Sequence, residues 1–151
     1  MDLEENIINL QQIYESQMPA ELVSILAMKS DGIDLPPPTK TVIQTINEEA
    51  FNFDPFLFIQ ATIPEASSIG PSTVSTVFFN LAVVFAAGNL ALEWKKSFRY
   101  ANALLNLAHR NFDNQILSGT IKVNQHAPDG FQDDTGYHLV SGITISMKLF
   151  E

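Results

Sequence analysis

No cysteine occurs among the 151 residues. That single absence excludes disulfide scaffolds, thiolate zinc sites, thiol nucleophiles and dithiol redox chemistry, although it does not decide between cytoplasm and export. Basic residues are scarce: eight Lys and Arg stand against 17 Asp and Glu, a formal net charge of −9. Binding that works by neutralising many phosphates is excluded, so no sequence-specific nucleic-acid partner is expected. Long hydrophobic runs are missing too. The most apolar window, residues 77–92, is interrupted by Asn80, Gly88 and Asn89, whereas a spanning helix needs about 20 apolar residues. No membrane partner is expected. The first residues, Met-Asp-Leu-Glu-Glu, lack the basic and apolar regions of a secretory signal, which argues against export by that route. Neither a Gly-x-Gly-x-x-Gly turn nor a phosphate loop ending in Gly-Lys-Ser/Thr is present, and no cofactor is expected.

What remains is ordinary globular composition, 46% hydrophobic and 17% charged. A chain of this size buries roughly 70% of its unfolded surface in one core, so residues 1–151 read as a single domain. No repeat of solenoid period is found. The charge is uneven. Residues 1–54 hold ten acids against Lys29 and Lys40, whereas in residues 93–110 Lys95, Lys96, Arg99 and Arg110 face only Glu93. One face of the molecule is thereby suited to attract the acidic face of another copy.

Residues 1–30 read as helical, with Leu3, Ile7, Leu10, Tyr14, Leu22, Ile25 and Leu26 at helical spacing and a break or kink at Pro19. Residues 31–55 contain Asp31-Gly32 and Pro36-Pro37-Pro38 and read as an extended connector. Residues 56–87 predict a long hairpin. Its first strand is closed by Pro64, its tip is turn-prone, and its second strand, 73–86, is apolar on both faces and therefore central. Residues 89–112 predict a second helix capped by Asn89, with Leu90, Trp94, Ala101, Leu105, Ala108 and Phe112 on its apolar face. Residues 118–150 predict a closing hairpin. In its last strand Leu139, Ile143, Ile145, Met147 and Leu149 alternate with Gly142, Thr144, Ser146 and Lys148. The order helix-strand-strand-helix-strand-strand implies an α+β fold: an antiparallel sheet of about four strands with two main helices packed on one face.

Chemistry-bearing residues are concentrated in 126–138, where His126, Asp129, Asp133, Asp134 and His138 are types that ligate divalent metals or move protons. Their spacing matches neither a His-Glu-x-x-His helix nor a calcium loop, which favours a solvated turn over a small metal-dependent hydrolase. Ser67, Ser68, Ser72 and Ser75 stand in no Gly-x-Ser-x-Gly elbow. The expectation is a protein with no catalytic residues and no metal site, not an enzyme. Trp94 beside Phe98 reads as core or subunit interface rather than a stacking platform. Lys95, Lys96 and Arg99 read as a solvated helix face or an interface to an acidic neighbour. Together with Asp129, Phe131, Asp133 and Asp134 on the long loop, they are the subunit-interface candidates.

The segment Trp94-Lys95-Lys96-Ser97-Phe98-Arg99-Tyr100-Ala101-Asn102-Ala103-Leu104-Leu105-Asn106-Leu107, followed by Gly119-Thr120-Ile121-Lys122-Val123 and Pro128-Asp129-Gly130-Phe131, resembles the tail terminator and neck proteins of tailed bacteriophages. In that family a second helix carries an Arg-Tyr-x-x-Ala-Leu type segment, and Arg99-Tyr100-Ala101-Asn102-Ala103-Leu104 stands at its place. The resemblance covers most of the chain in element order and residues 94–150 at residue level. It implies a structural subunit that forms a homo-oligomeric ring, usually a hexamer. Such a ring caps the tail tube and joins it to the head connector, with sheath as a further neighbour in contractile tails and the genome passing through the lumen. The implied location is the virion, reached by assembly in the host cytoplasm. Another tail-completion or tube-associated subunit is the alternative within the same particle.

Overall fold

The computed structural model describes residues 3–69, 72–86, 90–112, 121–125, 129–133 and 136–150. Along the chain run helix α1 (Leu3–Lys29), strand β1 (Lys40–Ile43), a 3-10 helix (Glu48–Asn52) and the strand pair β2 (Phe56–Ile69) and β3 (Ser72–Ala86). Helix α2 (Leu90–Phe112) and strands β4 (Ile121–Gln125), β5 (Asp129–Asp133) and β6 (Gly136–Phe150) follow.

α1 has Glu4 and Glu5 in its first turn and Lys29 in its last, the charge placement that complements the helix dipole. It ends where Ser30 turns left-handed at φ 49° while its N–H still bonds the Leu26 carbonyl at 3.0 Å. Pro19 does not divide it: one helix runs from Leu3 to Lys29 with the proline inside. A proline there costs about 3 kcal/mol through the lost N–H and the clash with the preceding turn. Leu10, Tyr14, Met18, Leu22 and Ile25 are all buried along the same helix, and each contributes roughly 1.5–3 kcal/mol. Burial on both sides of the proline outweighs the break, and Pro19 itself is exposed.

The sheet has the order β1-β2-β3-β6-β4, and β5 pairs with β6 on the edge that β4 also uses. β2 to β6 are antiparallel, so their four lanes form the expected hairpins, and β3 is central. β1 is parallel to β2, Lys40 opposite Phe56 and Ile43 opposite Ile59, which makes the sheet mixed rather than purely antiparallel. The fold is α+β, with the helices packed against the sheet. The stretch 31–55 is more than a connector, since it contains both β1 and the 3-10 helix. A parallel neighbour needs a crossover, and residues 44–55 supply a short one. Gln44, at φ 69°, stops β1. Its side-chain amide accepts from the Ala61 N–H at 2.6 Å and donates to the Ala61 carbonyl at 3.2 Å, the two bonds a further β1 residue would have made.

Pro64 does not close its strand either. β2 continues to Ile69, and the pairing shifts between Thr62 and Glu65. The ladder irregularity is where a residue without an N–H is tolerated.

Odd-numbered residues of the three long strands face the helices: Leu57, Ile59, Val77, Phe79, Leu81, Val83, Ile143, Ile145 and Met147 are buried with Tyr14, Met18, Leu22, Tyr100, Leu104 and Leu107. Among the described residues the alternate face is covered at one end, where the 3-10 helix brings Ala50 and Phe51 onto Phe56 and Val84. Beyond it lies a polar row: Thr144 Oγ1 donates to Asn80 Oδ1 at 2.8 Å and Asn80 Nδ2 to Gln60 Oε1 at 3.3 Å. Gly142 sits where β6 and β3 approach closely. A Cβ there would stand 2.8 Å from the Leu81 carbonyl oxygen and 3.2 Å from the Ala82 Cβ.

On α2 the buried stripe is Ser97, Tyr100, Ala101, Leu104, Leu107, Ala108 and Phe112. Ala101, Ala108 and Phe112 of the expected apolar face are in it and Leu105 packs against its border, whereas Trp94 stands out of it; the small residues Ser97, Ala101 and Ala108 let the helix approach the sheet. The Ser141 hydroxyl of β6 donates to the Ser97 carbonyl there. Asn89, the expected cap, lies outside the described residues.

Candidate functional site

The interface candidates on α2 separate into two groups. Arg99 is buried, 7% exposed, and its guanidinium grips both carboxylate oxygens of Asp31, Nη1 to Oδ1 at 2.9 Å and Nη2 to Oδ2. The pair holds the Asp31 carboxyl well below the usual carboxylate range, chiefly through the Arg99 hydrogen bonds, and raises Arg99 in turn. Next to it the Tyr100 hydroxyl donates to the Pro36 carbonyl at 2.7 Å. Burial pushes the Tyr100 phenol up, and the negative charges of Asp54, Asp34 and Glu93 add to the shift. Arg99 and Tyr100 therefore strap the proline-rich stretch onto α2.

Arg110 follows the same logic: its Nη2 reaches Glu21 Oε2 at 2.9 Å, while Asn106 Nδ2 donates to Glu21 Oε1 at 3.0 Å. Gln17 and Asn111 exchange amide bonds at 3.2 and 3.0 Å. The acidic first third and the basic α2 thus meet inside one subunit. For Arg99 and Arg110 the opposite charge is matched within the subunit, by Asp31 and Glu21, so an attraction between copies falls to the remaining charges. Arg99 is neither a solvated face residue nor open to a neighbour.

Lys96 is held by Glu93 at 3.4 Å. Lys95 has no ion-pair partner within 4 Å among the described residues, and its Nζ stands 5.8 Å from the centre of the Trp94 ring. Trp94 and Phe98 do not join the core. They are 53% and 45% exposed, one turn apart, their rings edge to face at 6.1 Å. α1 runs antiparallel to α2, as the pairs Gln17 with Asn111 and Asp31 with Arg99 require. The C-terminal end of α1, with Met28 79% exposed, therefore lies toward the end of the helix layer that carries the aromatic pair. Two exposed aromatic rings in contact, with Lys95 beside them, are the kind of apolar area with a polar border that marks an interaction surface.

The long loop is not a plain turn. Asp129, Phe131 and Asp133 belong to β5, opposite Val140, His138 and Gly136 of β6. His126 and Asp134 lie outside the described residues. His138 is buried, its ring 4.8 Å from that of Phe51. Ser67, Ser68, Ser72 and Ser75 are rungs of the β2–β3 ladder. No group of three or more His, Asp or Glu is placed to hold a metal ion among the described residues. A groove of about 330 Å³ lies between α1 and β1, lined by Tyr14, Glu15, Met18, Pro19, Lys40 and Thr41 among others. The Tyr14 hydroxyl donates to the Leu104 carbonyl at 2.8 Å and the Thr41 hydroxyl to Glu15 at 2.6 Å, contacts that fasten the groove wall. No helix of the described residues is long and apolar enough to cross a membrane.

The feature that pattern reading missed is Asp31. A signal for this class of contact was present in Glu21, a carboxylate on the buried stripe of α1 between Met18 and Leu22, because a buried acid requires a basic partner from elsewhere in the chain. Comparison with protein-family models and with curated proteins finds no match.

Proposed function

We propose that the chain is a structural subunit of a phage tail, a tail terminator or neck protein that assembles as a ring, caps the tail tube and joins it to the head connector, without catalytic activity. The observation that carries this reading is the element order. A helix, a long hairpin, a second helix and a closing hairpin follow one another, with Arg99-Tyr100-Ala101-Asn102-Ala103-Leu104 on the second helix, as the resemblance implies. The exposed Trp94–Phe98 pair supports an assembling subunit, because such apolar area is ordinarily covered in the working state. The net charge of −9 suits a lumen through which DNA slides without adhering.

Light scattering across a concentration series, with negative-stain images and incubation with purified tail tubes, tests the proposal. A hollow ring of about six chain masses, or recruitment to tube ends, is the expected result. Incorporation along the tube length points to a tube-associated subunit instead. A chain that neither forms rings nor binds tubes refutes the tail role.

A further inference from the structure

We infer that the subunit docks front to back onto a second copy of itself, through contact between the aromatic, cationic end of its helix layer and the acidic corner at the 3-10 helix on the opposite side of the sheet. The first surface carries Met28, Lys29, Trp94, Lys95 and Phe98. All three apolar members are 45% exposed or more, and neither lysine has an ion-pair partner within 4 Å among the described residues. The second carries Glu48 and Glu49, both exposed in the first turn of the 3-10 helix, with Phe53 37% exposed just beyond it. Lys40, 4.4 Å above the Phe53 ring, leaves that corner net acidic.

Geometry and charge select this occupant. α1 and α2 cover the face of Leu57 and Val83, while the 3-10 helix covers the face of Phe56 and Val84, so the two surfaces lie on opposite sides of the sheet. A symmetric contact of one helix end with another would bring Lys29 and Lys95 of both copies together, and like charges across an interface cost several kcal/mol in ordinary cases. Matching the lysines to Glu48 and Glu49 of the next copy removes that penalty and covers Trp94 and Phe98 with Phe53. A contact between two different surfaces propagates, and closes into a ring when the rotation permits. The inference deepens the assembly part of the proposed function but does not need the phage role.

Charge reversal tests it. Sedimentation velocity over a concentration series is run on wild type, on Lys95→Glu, on Glu48→Lys/Glu49→Lys, and on an equimolar mixture of the two variants. Wild type is expected to self-associate, and each variant alone to associate about tenfold more weakly or worse. In the mixture every contact pairs opposite charges again, so association is expected to return. Trp94→Ala, which changes no charge, is expected to weaken association by a similar factor, and thermal melts confirm that every variant is folded. A strictly monomeric wild type, variants that associate as wild type does, or a mixture that stays dissociated would each overturn the inference. Rescue in the mixture together with no recruitment to tail tubes keeps this interface and removes the tail role.

Discussion

Arg99 of α2 holds both carboxylate oxygens of Asp31, two residues beyond the end of α1. The contact joins the exit of the first helix to the middle of the second and fixes where the proline-rich stretch begins. With Tyr100 on Pro36 one residue later, it sets the path that delivers β1 alongside β2.

This pair carries a pH signature. The Asp31 carboxyl is depressed in the folded protein from its ordinary value of 3.8. Its stabilisation is therefore present above that ordinary value and is lost as pH falls from there toward the folded value. Arg99 stays charged throughout. Asp31→Asn is expected to lower the melting temperature at pH 6–7, with the difference from wild type shrinking below about pH 4. A difference that is constant across that range would show that the pair is not what the substitution removes.

Pro19 sits in an otherwise continuous helix on an exposed site. Pro19→Ala restores an N–H to the Glu15 carbonyl and relieves the clash, worth about 3 kcal/mol, while loosening the unfolded chain by about 0.4–1 kcal/mol. A net gain of about 2–2.6 kcal/mol in urea unfolding is expected.

Gly142 has the opposite character. Its absent Cβ would sit 2.8 Å from a backbone oxygen, which cannot rotate aside as a side chain can. Gly142→Ala is expected to destabilise by about 1–3 kcal/mol, as overpacked cores do, measurable as a lower urea midpoint with an unchanged slope.

Trp94 is the sole tryptophan and is half exposed, so its fluorescence reports this surface alone. Dilute protein is expected to emit at the long wavelengths of solvated indole and to be quenched by iodide. Raising the concentration should shift the emission to the blue and protect it. Emission that is blue and unquenchable at every concentration would contradict the exposure seen here.

Much of the fold was legible because it rests on local periodicity. The alternation of Ile143, Ile145 and Met147 with Thr144 and Ser146 marks β6, and the apolar run of β3 marks a central strand. α2 was bounded within a residue or two. β1 was not visible, since four residues after three prolines have too short a period to read, and their pairing is decided by Phe56–Ile59 rather than by themselves. Propensity marks Pro19 as a break or kink and Pro64 as a strand end because it sees the missing N–H but not the packing or the ladder irregularity that absorbs it. For the same reason a helix-face pattern assigns Arg99 to solvent or to an acidic neighbour, since it cannot see Asp31 far away in sequence. Trp94 was assigned to core or interface by its helical spacing, and the side chain stands out of the core.

The place of β6 governs the order in which this molecule can be made. β3 pairs on one side with its hairpin partner β2, but on the other its residues 74–86 pair with residues 138–150, after all of α2, β4 and β5. Non-local pairing of this kind is slow to form, because the intervening chain must be closed into a loop first. During synthesis β3 therefore emerges with one bare, apolar edge and keeps it until β6 arrives. The charged and helical segments between the two are made while that edge is open. A nascent chain stalled before β6 has an unprotected strand of the kind that recruits other strands.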